Sequence, residues 1–114
     1  MDVQSVEQVE PFVTKDGSTI RELHHTQVQS LAEAQLEPGQ ATERHYHSAS
    51  QEIYFVLKGQ GEFELDGEIR YLRPGDAALI PPGAWHTFEN NGTSELRFLC
   101  ICAPPYSHDD TFIE

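Results

Sequence analysis

Polar and apolar residues alternate along much of this chain in short bursts, most of them ended by glycine, proline or asparagine. In the burst Glu52-Ile-Tyr-Phe-Val-Leu57, an extended backbone puts Glu52, Tyr54 and Val56 on one side and Ile53, Phe55 and Leu57 on the other. Other alternating or β-rich segments run over Thr19–Leu23, Leu31–Leu36, Glu62–Leu65, Glu68–Leu72, Ala77–Ile80 and Leu96–Cys102. Between them lie turn signals at Asp16-Gly17, Pro38-Gly39, Lys58-Gly59, Asp66-Gly67, Pro74-Gly75, Pro82-Gly83 and Asn90-Asn91-Gly92. No window sustains a helical period. The pattern predicts one all-β domain over 1–114, a barrel or sandwich, with N-terminal strands within 1–25 and a tail over 103–114 that carries no strong secondary-structure signal. Asp66-Gly67 predicts a two-residue hairpin, because a type I′ turn needs positive φ at both central positions.

Two glycine-bounded runs carry the candidate chemistry. Residues 39–59 read G-x5-H-x-H-x4-E-x6-G, and residues 75–90 read G-x5-P-x-G-x2-H-x3-N. At every specified position they resemble the two motifs of the cupin family, and the fifteen residues between Gly59 and Gly75 are similar to the spacer of small single-domain microbial cupins. That resemblance implies a double-stranded β-helix, or jelly-roll, barrel and one divalent transition metal per chain. The implied ligands are His45, His47, Glu52 and His86. The family includes dioxygenases, isomerases, epimerases, decarboxylases, lyases, storage proteins and sugar sensors, so the resemblance implies no single reaction.

The residues agree with the implied site. On a strand, His45 and His47 point to one face about 6.6 Å apart along the axis, and bonds of about 2.0–2.1 Å let both meet one ion. Arg44 and Tyr46 then point away. Three imidazoles and a carboxylate suit Mn, Fe, Co, Ni, Cu or Zn, with Fe or Mn favoured. Four protein ligands leave positions open for water, oxygen or substrate. One carboxylate against a divalent ion leaves a net positive centre, which suits a small oxygenated acid or enediol. Tyr54 shares the face of Glu52 and is the candidate for a supporting hydrogen bond or proton relay, although a packed core aromatic is the plainer reading. Ala84 and Phe88 follow His86 inward, and Phe98 and Cys100 join them on the last strand. Trp85 has the opposite parity and packs. Neither a second inward carboxylate nor a lysine has an assignable address.

Charge and cysteine content narrow the partners. Nineteen acidic against seven basic residues give a formal charge of −12, which disfavours nucleic acid and anionic membrane surfaces. The first residues show neither a basic segment nor an apolar core, so no secretory leader is expected, and no stretch is apolar enough to span a bilayer. Cys100 and Cys102 sit two apart on a strand, too far for a relaxed disulfide, and read as free, packed thiols in a reducing cytoplasm. His24, His25 and His108 read as surface histidines, and the acidic residues of the tail as a solvated face, with Tyr106 and Phe112 anchoring it.

These readings converge on a cytoplasmic metal-dependent cupin enzyme for a small oxygenated metabolite, of dioxygenase or isomerase/lyase type. The alternative is a metal-dependent small-molecule or sugar-binding sensor without turnover. The apolar outer row Ile53, Phe55 and Leu57 predicts a homodimer.

Overall fold

The computed structural model describes residues 1–114, and eleven strands form two antiparallel sheets with no helix. The strands are β1 (Phe12–Val13), β2 (Thr19–His25), β3 (Ser30–Leu36), β4 (His45–His47), β5 (Gln51–Lys58) and β6 (Gly61–Leu65). They continue with β7 (Glu68–Leu72), β8 (Ala77–Ile80), β9 (His86–Glu89), β10 (Leu96–Ala103) and β11 (Thr111–Ile113). One sheet has the order β1-β2-β3-β10-β5-β8 and the other β11-β4-β9-β6-β7. All seven segments expected from alternation are strands, and the all-β jelly-roll expectation is borne out.

Inward positions follow the pleat. On β5, Glu52, Tyr54 and Val56 are buried, while Ile53, Phe55 and Leu57 keep 36%, 36% and 43% of their surface. The core between the sheets is built from Leu36, Val56, Phe63, Phe88, Leu96 and Phe98, each at least nine-tenths buried. Burying each of these large side chains contributes about 1.5–3 kcal/mol. Phe88 packs on Phe98 and Phe63 at centroid separations of 4.9 and 5.7 Å, distances at which tilted and edge-on rings attract.

Local chemistry sets the corners. Asp66 and Gly67 take φ of 47° and 90°, as the type I′ expectation requires, and join β6 to β7. Gly61 admits no side chain: a Cβ there would stand 2.6 Å from the Glu89 carbonyl oxygen and 2.7 Å from the Phe88 ring. Asn90, fully buried, donates through Nδ2 to the carbonyls of Leu36 and Ser94 and accepts from the Gly92 amide. The asparagine that ends the second motif therefore ties the loop after β9 to the end of β3.

The tail differs from expectation. It adds β11 to the edge of the second sheet, beside β4, and Phe112 stacks on Tyr46 at 5.0 Å. Asp110 is not merely solvated, since it accepts hydrogen bonds from the Ser48 hydroxyl and from the amides of Ala49 and Ser50. Those bonds fasten the tail to the loop between β4 and β5.

Candidate metal centre

Pairing brings the histidines together from strands far apart in sequence. His45 on β4 lies opposite His86 on β9, and His47 shares the inner face of β4 with His45. All three are buried, and their ligand atoms lie within 4.8 Å of one another. They form a group able to hold a metal ion.

The hydrogen bonds orient each ring. Nδ1 of His45 lies 2.6 Å from the Glu43 carbonyl oxygen, and Nδ1 of His86 lies 3.0 Å from that of Ala84. A carbonyl only accepts, so both rings carry their proton on Nδ1 and turn an Nε2 lone pair inward. Nδ1 of His47 meets the Thr111 hydroxyl at 3.1 Å, and that hydroxyl donates to the Ser107 carbonyl at 2.8 Å. Thr111 therefore accepts from His47, and the third ring takes the same tautomer.

Glu52 enters from the facing sheet. Its Oε1 lies 3.2 Å from Nε2 of His47 and 3.5 Å from Nε2 of His86, while Oε2 accepts from the Cys102 thiol at 3.1 Å. Burial alone would raise its pKa, but hydrogen bonding and charge from His47 and His86 in their protonated forms more than offset that and hold the carboxyl below its usual range. Burial pushes His45 down to about 4, whereas at His47 burial is outweighed by the carboxylates of Glu52, Asp16 and Asp110, which raise it. Burial raises both thiols, with Glu52 adding to the effect, so Cys100 and Cys102 stay protonated.

Three buried atoms, His45 Nε2, Glu52 Oε1 and His86 Nε2, have no hydrogen-bond partner. Leaving one such group unsatisfied costs about 1–3 kcal/mol, so three side by side need a common partner. A divalent cation fits this donor set of imidazole lone pairs and a carboxylate.

A cavity opens beside His47 and Glu52, lined in part by Ile20, Ala32, Tyr54 and Phe98. Tyr54 sits among Phe63, Phe88 and Phe98 and presents its ring edge-on to His86 at 5.8 Å. Cys102 is more than the packed thiol expected from sequence, because its hydrogen bond anchors Glu52. Trp85 lies on the outer surface under the Arg44 guanidinium and against Tyr46.

A second inward carboxylate, for which the sequence offers no address, is present in the fold. Asp16, in the turn before β2, is buried, and its Oδ2 stands 3.3 Å from Nε2 of His45. Glu22 on β2 also reaches the cavity wall. The Asp-Gly pair is legible as a turn, but alternation carries no information about where a turn side chain points.

Comparison with known proteins agrees with this architecture. Residues 32–102 match the cupin domain. Over 112 residues the chain is 46% identical to an uncharacterised protein of Methanocaldococcus jannaschii, covering 94% of this chain and 90% of that one. It is 32% identical over 81 residues to the oxalate-binding protein of Thermotoga maritima, covering 71% and 67% of the two chains. The structure of KdgF from Halomonas sp. shares the fold, with a TM-score of 0.84 at 21% identity over 94% of this chain and 96% of that one.

Proposed function

This chain belongs to the cupin family, and from that premise we propose that it is a metal-dependent enzyme acting on a small oxygenated acid, of isomerase, lyase or dioxygenase type. The observation that carries the reading is the set of buried, partnerless atoms on His45, His86 and Glu52, with His47 beside them. Nε2 of the three histidines and Oε1 of Glu52 would hold the ion, Fe or Mn in preference to Ni, Zn, Co or Cu. When bound, such an ion supplies Lewis acidity to a substrate oxygen.

The chain's own groups do the remaining work. Glu43, Ala84 and Thr111 fix the imidazole tautomers, so that each ring would offer its Nε2 lone pair to the ion. Cys102 holds Oε2 of Glu52 and leaves Oε1 free. Ile20, Ala32, Tyr54 and Phe98 keep water off one flank of the substrate. The relative named as an oxalate-binding protein supports a small oxygenated acid as the ligand class. That name also favours a second reading, binding without turnover.

Metal analysis of protein purified from its native host, followed by assays with diketones, keto acids and oxalate in Fe, Mn, Ni and Zn forms, separates the two. The enzyme reading predicts one ion per chain and consumption of at least one compound at a rate lost on chelation and regained on reloading. Tight binding across the panel with no metal-dependent turnover would leave the binding reading.

The assembly proposed with this function is a homodimer. Ile53, Phe55 and Leu57 of β5 and Leu79 of β8 form an exposed apolar row on the outer face of the six-stranded sheet, where Ile53 pairs with Leu79. A second copy covering that row would remove it from water. Sedimentation is expected to show a dimer that Phe55→Glu converts to monomer, and a wild-type monomer at micromolar concentration would refute the pairing.

A further inference from the structure

Resting on the metal centre proposed above, we infer that Asp16 is a fifth protein donor to the ion, supplied by the turn before β2. Two donors bound to one ion at about 2.0–2.2 Å, with angles between a right angle and a tetrahedral one, lie about 3–3.5 Å apart. Glu52 Oε1 meets that separation from His47 and His86, at 3.2 and 3.5 Å. Asp16 Oδ2 meets it from His45, at 3.3 Å. Each of the three inward nitrogens thus has one carboxylate oxygen at ligand-to-ligand distance, and Asp16 serves the one that Glu52 does not.

The turn is built to hold this carboxylate. Asp16 Oδ1 accepts from the Thr14 hydroxyl at 2.7 Å, the Ser18 amide at 2.9 Å and the Ser18 hydroxyl at 2.7 Å. One oxygen is therefore saturated and Oδ2 is left to the cavity. The Asp16 carbonyl also accepts from the Glu43 amide at 2.7 Å, which ties the turn to the approach of β4 and so to His45. His45 Nδ1 is already committed to the Glu43 carbonyl, so Asp16 does not serve to orient that ring, and the Nε2 it faces has no hydrogen-bond partner.

Two carboxylates and three neutral imidazoles neutralise a divalent ion. The harder donor set favours Mn or Fe over Cu. On an ion with six positions one is left for substrate, so an acid binds through a single oxygen rather than as a chelate.

Titration of metal-free protein with Mn(II), and the visible spectrum of the Co(II) form, test this without recourse to activity. Asp16→Asn is expected to weaken Mn(II) binding about 10–100-fold, as losses around metal sites do, and to strengthen the Co(II) absorption as coordination number falls. A role confined to the turn would lower thermal stability and leave the Co(II) spectrum unchanged. Wild-type protein carrying isotope-labelled aspartate keeps the test independent of the variant's folding: metal addition should produce an isotope-sensitive aspartate carboxylate band in the infrared difference spectrum. Normal metal uptake by wild type with no such band, or with an unaltered Asp16→Asn spectrum, overturns the assignment of Asp16 alone. A wild type that takes up no ion overturns the centre itself.

Discussion

The two ends of the barrel interior use inward positions on the same strands for opposite purposes. On β3 the buried face runs from Ser30 to Leu36, on β5 from Glu52 to Val56, on β9 from His86 to Phe88, and on β10 from Cys102 to Leu96. One end is filled by rings and branched side chains in contact. The other holds imidazoles, carboxylates and thiols, and keeps three polar atoms without partners. Pleat parity decides what is inside, whereas distance along the strand decides what the inside is for. The apolar end buries large side chains that favour folding, and the polar end carries a cost that the proposed ion would remove.

The largest expected effect comes from damaging the apolar end. Phe88→Ala removes a fully buried ring that packs on Tyr54, Phe63 and Phe98. It should destabilise the protein by about 3–5 kcal/mol, seen as a lower urea midpoint, with metal affinity in the folded variant within about two-fold of wild type. Loss of metal uptake by a folded Phe88→Ala protein would show that the two ends are one unit.

The next effect is at the polar end and has the opposite signature. Glu52→Gln keeps the shape of the side chain and discards its charge, so metal affinity should fall about 100-fold, near 2.7 kcal/mol. Stability without metal should fall by less, because the variant keeps the side chain's shape and loses only the attraction of His47 and His86 for the carboxylate. The thermal shift produced by adding metal should shrink accordingly, since an ion that binds only the folded state stabilises it by mass action. Undiminished metal affinity in calorimetry would remove Glu52 from the proposed ligand set.

Much of this contrast is legible in the amino-acid sequence. Alternation locates seven of the eleven strands, and the parity of β5 separates Glu52, Tyr54 and Val56 from Ile53, Phe55 and Leu57. Motif spacing selects the three histidines that the fold gathers. What escapes a sequence reading depends on contacts between segments distant along the chain. Asp16 reaches His45 only because the turn before β2 is bonded to the Glu43 amide. β11 is three residues long, too short to display a period, and its place beside β4 comes with the hydrogen bonds between Asp110 and the 48–50 loop. Cys102 reads as a small hydrophobe because residue type alone does not reveal that Glu52 is its neighbour across the β5–β10 pairing.

The smallest effect predicted tests whether the tail belongs to the polar end. Thr111 is 1% exposed, and its methyl and hydroxyl groups face different needs: the hydroxyl accepts from His47 Nδ1 and donates to Ser107. Thr111→Val keeps the branched shape that suits β11 and deletes only the oxygen. His47 then loses the partner that fixes its tautomer, and Ser107 loses a donor to its carbonyl. Metal affinity should fall about 10-fold, the lower range for losing a hydrogen bond behind a metal-binding histidine, while metal-free stability should drop by only about 1 kcal/mol. Thr111→Ser should restore the affinity, because it returns the oxygen without the methyl. If Val and Ser at this position bind metal equally well, β11 only closes the sheet edge, and the polar end stops at the motif residues.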